Sequence, residues 1–424
     1  MNIARLALKQ VAARPLMSGL NVLLLALGLA SIALLMLFDA QLEERLVSNA
    51  RGIDLVVGAK GSPLQLILST VYHADIPTGN ILKREADKLA RHPLVARAIP
   101  LALGDNLQGF RIVGTSRDYP ALYGARLAAG RWWDLSMEAV LGARVAARTG
   151  LGPGQEFASQ HGLAPGGHMH DDNMYQVVGV LAPTGTILDE LVLTTPQSVW
   201  DLHEGHDRTS NPAYAPENSL ATPNAAADGD DEDEDDGKPR EYTALLLQYK
   251  TPLAVLALPR QINAQTALQA ASPAMESARL LHVVGIGLDA FRAFAGILIV
   301  SAGLSVFVAL YTALEARRFD LAVMRMLGAS RLRLFASVLL EGLLLAAGAV
   351  LLALALAHGA AELAGRLELA GRLELAPGLA LTGRIWLWQE TWLALLALAV
   401  GLFAALLPAI QAYRTQIASV LAER

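Results

Sequence analysis

Four windows of the sequence leave this chain little choice of fold. Leu16 to Phe38, Ala293 to Leu314, Phe335 to Ala357 and Thr391 to Ile410 each run for twenty residues or more, and the only charge among them is Glu341 in the third. A helix rising ~1.5 Å per residue needs about 20 such residues to cross a hydrocarbon core about 30 Å thick. Four membrane-crossing helices are therefore expected, and an ordinary water-soluble globule is excluded. Arg5, Lys9 and Arg14 give the first window the basic flank of a secretory signal. Its 23-residue apolar run is too long for one, and "LFDAQLEERL" offers no small-residue cleavage site, so an uncleaved anchor is the reading.

Orientation follows from where Lys and Arg gather, because the cytoplasmic side retains them. Residues 1–15 hold three and residues 315–334 hold five, while residues 358–390 set three Arg against four Glu. Both termini and the loop near residue 320 are thus expected in the cytoplasm. Residues 1–15 would form a cytoplasmic amphipathic helix, 39–292 a large extracytoplasmic domain, 358–390 an outer loop and 411–424 a cytoplasmic tail. The formal charge of −5 is dominated by "DGDDEDEDD" at 228–236; without that run the balance turns positive. No basic face for nucleic acid is implied. With no cysteine, a disulfide framework and a thiolate metal site are both ruled out.

The segment "EARRFDLAVMRMLGAS" (315–330) interrupts the apolar pattern with arginines. Phe319, Ala322, Val323 and Met326 recur at helical spacing, which predicts a short amphipathic helix over 316–327. Gly328 suits its stop, and Ser330 the cap of a new helix running into the third window. A plain topology signal with headgroup contacts would explain the arginines alone. The stop and the new cap describe a stiff corner instead, of the kind a cytoplasmic partner could push.

The stretch "RRFDLAVMRMLGASRLRL", followed by "SVLLEGLLLAAGAVL", resembles the cytoplasmic loop and third span of FtsX/MacB-type permeases, the membrane subunits of type VII ABC transporters, related to lipoprotein-release permeases. Phe319, Met324, Arg325, Leu327, Gly328, Ala329, Ser330, Glu341 and Gly342 match that pattern; Met326 replaces its common alanine. The tail "LLPAIQAYRTQIASVLAER" and the inner piece "GRWWDLSMEAVLGARVAARTGLGPGQEF" resemble further family segments. The resemblance implies a homodimeric permease of the bacterial inner membrane, with a cytoplasmic ABC ATPase held by Arg317, Arg318, Phe319, Asp320, Met324, Arg325, Leu327 and Gly328. It implies transmission of ATP-driven motion to the outer domain, which would meet a substrate, a periplasmic adaptor or a substrate-binding protein. ATP and Mg would reside in the partner, for this chain has no G-x-x-x-x-G-K-[ST] and "GAKGS" (58–62) lacks the spacing. The chain itself is expected to be no enzyme. A regulator of periplasmic partners that transports nothing is the rival reading.

Between the first two spans, β-like runs at 54–60, 109–116, 174–181, 190–195 and 241–249 alternate with helical runs at 81–93 and 139–151, predicting an α+β domain. The fold class expected is thus four transmembrane helices with a large α+β insertion between the first and second. Trp132 and Trp133 read as packing before they read as a substrate platform. Residues 204–240 read as a disordered acidic excursion. His161, His168, His170, Asp171, His203 and His206 supply ligand types for zinc, so a metal-handling component is a third reading. Such spacing is weak, and a hydrophilic insertion explains it as well. Glu341, an acid inside a span, marks a polar site that either pairs with a loop arginine or serves a function of its own. Gly342, Ala346, Gly348, Gly401 and Ala405 would allow close helix contact without saying against which helix.

Overall fold

A computed structural model describes residues 3–161, 169–207, 239–367 and 381–414. From the N-terminus, α1 (Ile3–Ala12) and α2 (Pro15–Asn49) precede β1 (Leu55–Ala59), α3 (Pro63–Thr70), β2 (Ile81–Leu82) and α4 (Lys83–Ala90). Next come β3 (Val95–Leu107), β4 (Phe110–Thr115), α5 (Asp118–Leu122), β5 (Leu127–Gly130), β6 (Glu138–Leu141) and α6 (Ala143–Thr149). Then β7 (Glu156–His161), β8 (Met169–Leu181), a 3-10 turn (Ile187–Glu190), β9 (Val192–Thr194) and α7 (Pro196–Asp207) follow. The chain continues with β10 (Glu241–Tyr242), β11 (Ala244–Tyr249), α8 (Ala254–Gln265) and β12 (Leu268–Ala271). It ends in α9 (Pro273–Ala316), α10 (Arg318–Met326), α11 (Arg331–Arg366) and α12 (Trp388–Arg414).

Two compact units result. Among the described residues, a helical unit holds those up to Glu44 and those from Leu281 on, and a sheet unit holds Arg45–Leu280. Among the described residues, α2, α9, α11 and α12 are the helices long and apolar enough to cross a membrane. Each contains one of the four apolar windows. At 35 and 44 residues, α2 and α9 run to roughly 50 and 65 Å, well past a hydrocarbon core. Their extensions, "DAQLEERLVSN" and "PAMESARLLHVVGIGLDAFR", keep helical backbone in polar sequence because Glu, Leu, Gln, Ala and Arg are good helix formers. Proline opens α2, α3, α7 and α9, where its missing N–H costs nothing.

Small residues decide how the spans meet. A Cβ added at Gly342 would lie 2.6 Å from that of Ala405, and one at Gly401 would lie 2.5 Å from that of Ala346, so α11 and α12 touch backbone to backbone. Gly348 instead faces Val22 of α2 with ordinary clearance, 3.8 Å. Between α2 and α9, Ser305 Oγ donates to the buried Asn21 Oδ1 at 2.7 Å, and Arg292 meets Asp39 at 2.8 Å.

The sheet unit is built on a mixed ten-stranded sheet in the order β12-β1-β11-β3-β4-β9-β6-β8-β5, with β7 paired to β3 and β8; β2 and β10 make a separate pair. Only β4–β9 and β6–β8 run parallel among the described pairs. One core packs Leu55, Val57, Leu245 and Leu247 against Leu258 and Ile262 of α8. A second packs Ile112, Leu141, Tyr175, Val177 and Val192 against Val145 of α6 and Leu202 of α7. The expected helix over 139–151 is corrected at its start. Ala139, Val140 and Leu141 form β6 between β8 and β9, because cross-strand pairing outweighs the helix propensity of Ala and Leu, and the helix begins at Ala143. Similarly, α7 extends to Asp207, so 204–207 are helical where the disordered stretch was expected to begin; 208–238 lie outside the described residues. Trp133 is buried, edge-on to Trp132 at 5.7 Å, as packing predicts.

Candidate functional site

The corner between the second and third spans is built as its sequence suggests. Helix α10 ends at Gly328 with φ +95°, a left-handed backbone that glycine adopts without a Cβ penalty. Gly328 N–H donates to Arg325 O at 3.1 Å and Ala329 N–H to Met324 O at 3.0 Å, the paired bonds of a Schellman stop. Two residues on, the Ser330 hydroxyl accepts from Arg333 N–H and opens α11. A four-residue link, Leu327 to Ser330, closed by the stop on one side and the cap on the other, gives the corner a fixed angle.

Its faces differ from the expected stripe. Leu321 and Ala322 are buried, and Leu321 packs with Leu314, Leu334, Val338, Ala409 and Ala412, with half-buried Met324 against them. Phe319 and Met326, two members of the apolar stripe, are 44% and 54% exposed because the inward face of so short a helix is set by where α9 and α11 lie. With Leu327 at 84%, they give the exposed side an apolar surface. Around it, Arg318 pairs with Glu315 at 3.1 Å, Asp320 sits in the first turn where the helix dipole favours an acid, and Arg325 is half-buried.

Arg317 turns inward. One of its nitrogens lies 3.9 Å from Glu341 Oε2, and its guanidinium donates to Gln10 O of α1 at 3.4 Å. Glu341 is 8% exposed, so the acid in the third span is a buried partner of a loop arginine, beside a helix the sequence placed at the same end. Coulomb attraction at this separation offsets part of its desolvation, and the pair fixes the corner to α1.

A second polar cluster, which sequence reading missed, lies at the far end of α11. Gln41 clasps the backbone of Thr382, donating to its O at 3.0 Å and accepting from its N–H at 2.8 Å. Glu362 accepts from Gly383 N–H and meets Arg366 and Arg384. His358 lies between Gly383 O at 2.6 Å and Glu390 Oε2 at 3.1 Å. Apart from the i,i+4 pair Glu362–Arg366, these contacts join residues tens to hundreds of positions apart, so no local spacing announces them.

In the sheet unit the last turn of α2 is fastened by tyrosines. Tyr72 donates to Leu46 O at 3.2 Å and also meets Ser277 in the first turns of α9, while Tyr123 donates to Asn49 O at 2.6 Å. Beside them His73 is wholly buried against the Tyr119 hydroxyl at 3.0 Å; burial, then the nearby Arg111, hold its imidazole well below the usual histidine value. Arg111, donating to Ser69 O and Asp75 O, is itself pushed down to about 10 by burial. Glu138 takes two bonds from Arg131 and two backbone N–H donors, from Asp134 and Leu135; the Arg131 bonds above all hold it at about 2.

Of the histidine and aspartate positions with zinc-ligand chemistry, His168 lies outside the described residues, as do the side chains of His161, His170, Asp171, His203 and His206. Among the described residues no three His, Asp or Glu converge in a metal-binding group.

Comparison with known proteins follows the same division. The family profile described as "MacB-like periplasmic core domain" matches residues 18–231, and that described as "FtsX-like permease C-terminal" matches residues 292–417. No curated protein gives a significant match. Among solved structures, the periplasmic region of MacB from Actinobacillus actinomycetemcomitans aligns over 55% of this chain and 95% of its own, at 9% identity and a TM-score of 0.33. The extracellular domain of the noncanonic ABC-type transporter YknZ from Gram-positive bacteria aligns over 51% and 98%, at 11% identity and a TM-score of 0.29. Those scores are too low to carry an argument, and the profiles alone decide the matter. With four spans and an α+β domain between the first two, the chain belongs to the FtsX/MacB family of membrane permeases.

Proposed function

We propose that this permease is the membrane subunit of a type VII ABC transporter of the bacterial inner membrane, driven by a separate cytoplasmic ATPase that docks on the exposed side of α10. Permeases of this family work with such an ATPase. The observation that carries the reading is the corner itself: a nine-residue helix and the stop that follows it hold Phe319, Met326 and Leu327 exposed among charged residues. A surface of that composition suits a protein partner, since apolar anchors surrounded by polar groups supply most interface energy. The excess of Lys and Arg at 1–15 and 315–334 supports a cytoplasmic corner and cytoplasmic termini.

In this reading two copies of the chain pair around a pair of ATPase subunits. ATP-driven closure displaces α10, and the displacement passes into α9 and α11 through the fixed corner. Helices α2 and α9 each contribute residues to both units without a break, which gives motion a continuous backbone into the sheet unit. That unit would export, extract or remodel a substrate at the outer face of the membrane. ATP and Mg are bound, and ATP is hydrolysed, in the partner.

Replacing Leu327 by Asp, alone and with Phe319→Asp, tests this directly. Stimulation of the co-purified ATPase should fall roughly tenfold or more, the loss of about 1.4 kcal/mol or more of interface energy, while membrane insertion and thermal stability stay as in the parent. Unchanged ATPase binding and turnover in the double variant would remove α10 from the interface.

A further inference from the structure

One short helix of the sheet unit carries more positive charge than its surroundings answer. Helix α4 buries Ala86 in the core, with Leu89 packed against it. Its outward side carries Arg84 and Lys88, and Arg91 closes its end. These three exposed cations stand at i, i+4 and i+7, so they form one stripe of the helix. Like charges four residues apart destabilise a helix, and an acid partner relieves them. The acids of α4 do not supply one. Asp87 is taken by Lys83 at 3.1 Å, and Glu85 lies about 100° round the helix from Arg84. Among the described residues no carboxylate comes within ion-pair distance of Arg84, Lys88 or Arg91.

The chain itself brings acids to this place. Arg240 O accepts from Lys83 N–H at 2.9 Å, and β10 pairs Glu241 with Leu82 and Tyr242 with Ile81, so residue 240 is fixed at the first residue of α4. Trp200 of α7 donates to Glu241 O at 2.7 Å and lies under the Arg240 guanidinium at 5.3 Å, which ties the helix preceding the acid-rich excursion to the strand that follows it. Between these two ties the sequence sets eight acids in "DGDDEDEDD" (228–236), ending four residues before Arg240. Four residues span at most about 14 Å, and Arg84 to Arg91 covers about 10 Å of helix, so the run reaches the whole stripe on its own tether. A short tether holds a segment at an effective concentration of about a millimolar, which lets exposed ion pairs of modest individual strength persist together. Crowded acids repel one another, and three cations reduce that repulsion. Any of the carboxylates can meet any of the cations, so no single register is demanded.

We propose that the stripe Arg84, Lys88 and Arg91 is the intramolecular docking surface of the acid run 228–236, which lies along α4 at low ionic strength and leaves it when salt screens the charges. The screening length falls from about 30 Å at 10 mM salt to about 8 Å at 150 mM and about 3 Å at 1 M, which sets the range of release. A polyanion from outside must compete with a segment already tethered, so the run also keeps other acidic partners off α4.

The chain has no cysteine, so Ala90→Cys on α4 and Gly229→Cys in the run accept two spin labels and no others in the full-length chain, held in phosphatidylcholine vesicles. Pulsed electron paramagnetic resonance should find a short, narrow distance population at about 10 mM salt that is lost at about 1 M. Reversing the stripe, Arg84→Glu with Lys88→Glu and Arg91→Glu, should abolish it at low salt. Replacing the eight acids by Asn and Gln should do the same; it changes no residue of α4 and serves if the reversed helix fails to fold. A chain with the reversed stripe and lysines for the eight acids should regain the narrow population. A broad distribution in the parent at low salt, a narrow one that survives 1 M salt or stripe reversal, or its failure to return in the swapped chain overturns the proposal, and none of these outcomes bears on α10 or its ATPase.

Discussion

The helical unit and the sheet unit solve burial in opposite ways. Between α11 and α12 the contact is made by removing side chain: Gly342 and Gly401 let the backbones meet, and Ala346 and Ala405 fill what remains. Polar groups there are few and pair near helix ends, as Arg317 with Glu341 and His358 with Glu390. The sheet unit instead buries charge and hydroxyl groups inside its core, with Arg111, Glu138, His73, Thr194 and Ser198 each held by backbone or side-chain bonds. The contrast follows from the solvent. In lipid the hydrophobic effect gives helices no reason to associate, so close van der Waals fit must do so. In water, burial of β-sheet faces drives folding and leaves stability open to pH through the ionisable groups it encloses.

The contrast is sharpest where one added side chain meets it. Gly401→Leu would place its Cβ 2.5 Å from Ala346 and 2.9 Å from Gly342 O, and overpacking of this kind costs about 1–3 kcal/mol. Thermal unfolding in detergent should show that loss, while Gly348→Ala, with 3.8 Å to Val22, should change little. Equal effects would mean that α11 and α12 do not meet where Gly342 and Gly401 lie.

Acid should separate the units from the other side. Glu138 is held at about 2 in the folded chain, below its value in an unfolded one, so its contribution is complete above the ordinary carboxylate range and is lost as pH falls toward 2. Glu138→Gln should lower stability at pH 7 by about 1 kcal/mol, a figure reduced for the 54% exposure of its partner Arg131. The gap between parent and variant should then close as pH drops through 4. A gap that stays constant with pH would show the carboxylate to be a spectator. Smallest of the three, Ser330→Ala removes a long, exposed cap bond of 3.4 Å and should cost about 0.5 kcal/mol, measurable as faster hydrogen exchange in the first turn of α11.

How much of this was legible tracks the same division. The four spans could be read from the sequence because a bilayer demands an unbroken apolar run, and Gly328 and Ser330 marked the corner because stops and caps have local chemistry. Glu341 stood out as one acid in an apolar window. Glu390 did not, being next to polar loop residues with its partner 32 positions away. In the sheet unit, β3 escaped notice because "VARAIPLALGDNL" does not alternate cleanly and includes Pro100; pairing with β4 and β11 makes it a strand. Periodicity gives α10 a stripe through Phe319, Ala322, Val323 and Met326, but only the neighbouring helices say which side is covered, and they cover Leu321 and Ala322.

The claim on which the account rests is that α10 faces a cytoplasmic ATPase. A photo-crosslinking residue placed at Leu327 in native membranes, with the same residue at Trp388 as the control on the far end, tests it most directly. The account predicts an adduct carrying an ABC ATPase from position 327 and none from 388. An ATPase adduct from 388, or its absence from 327, would contradict it.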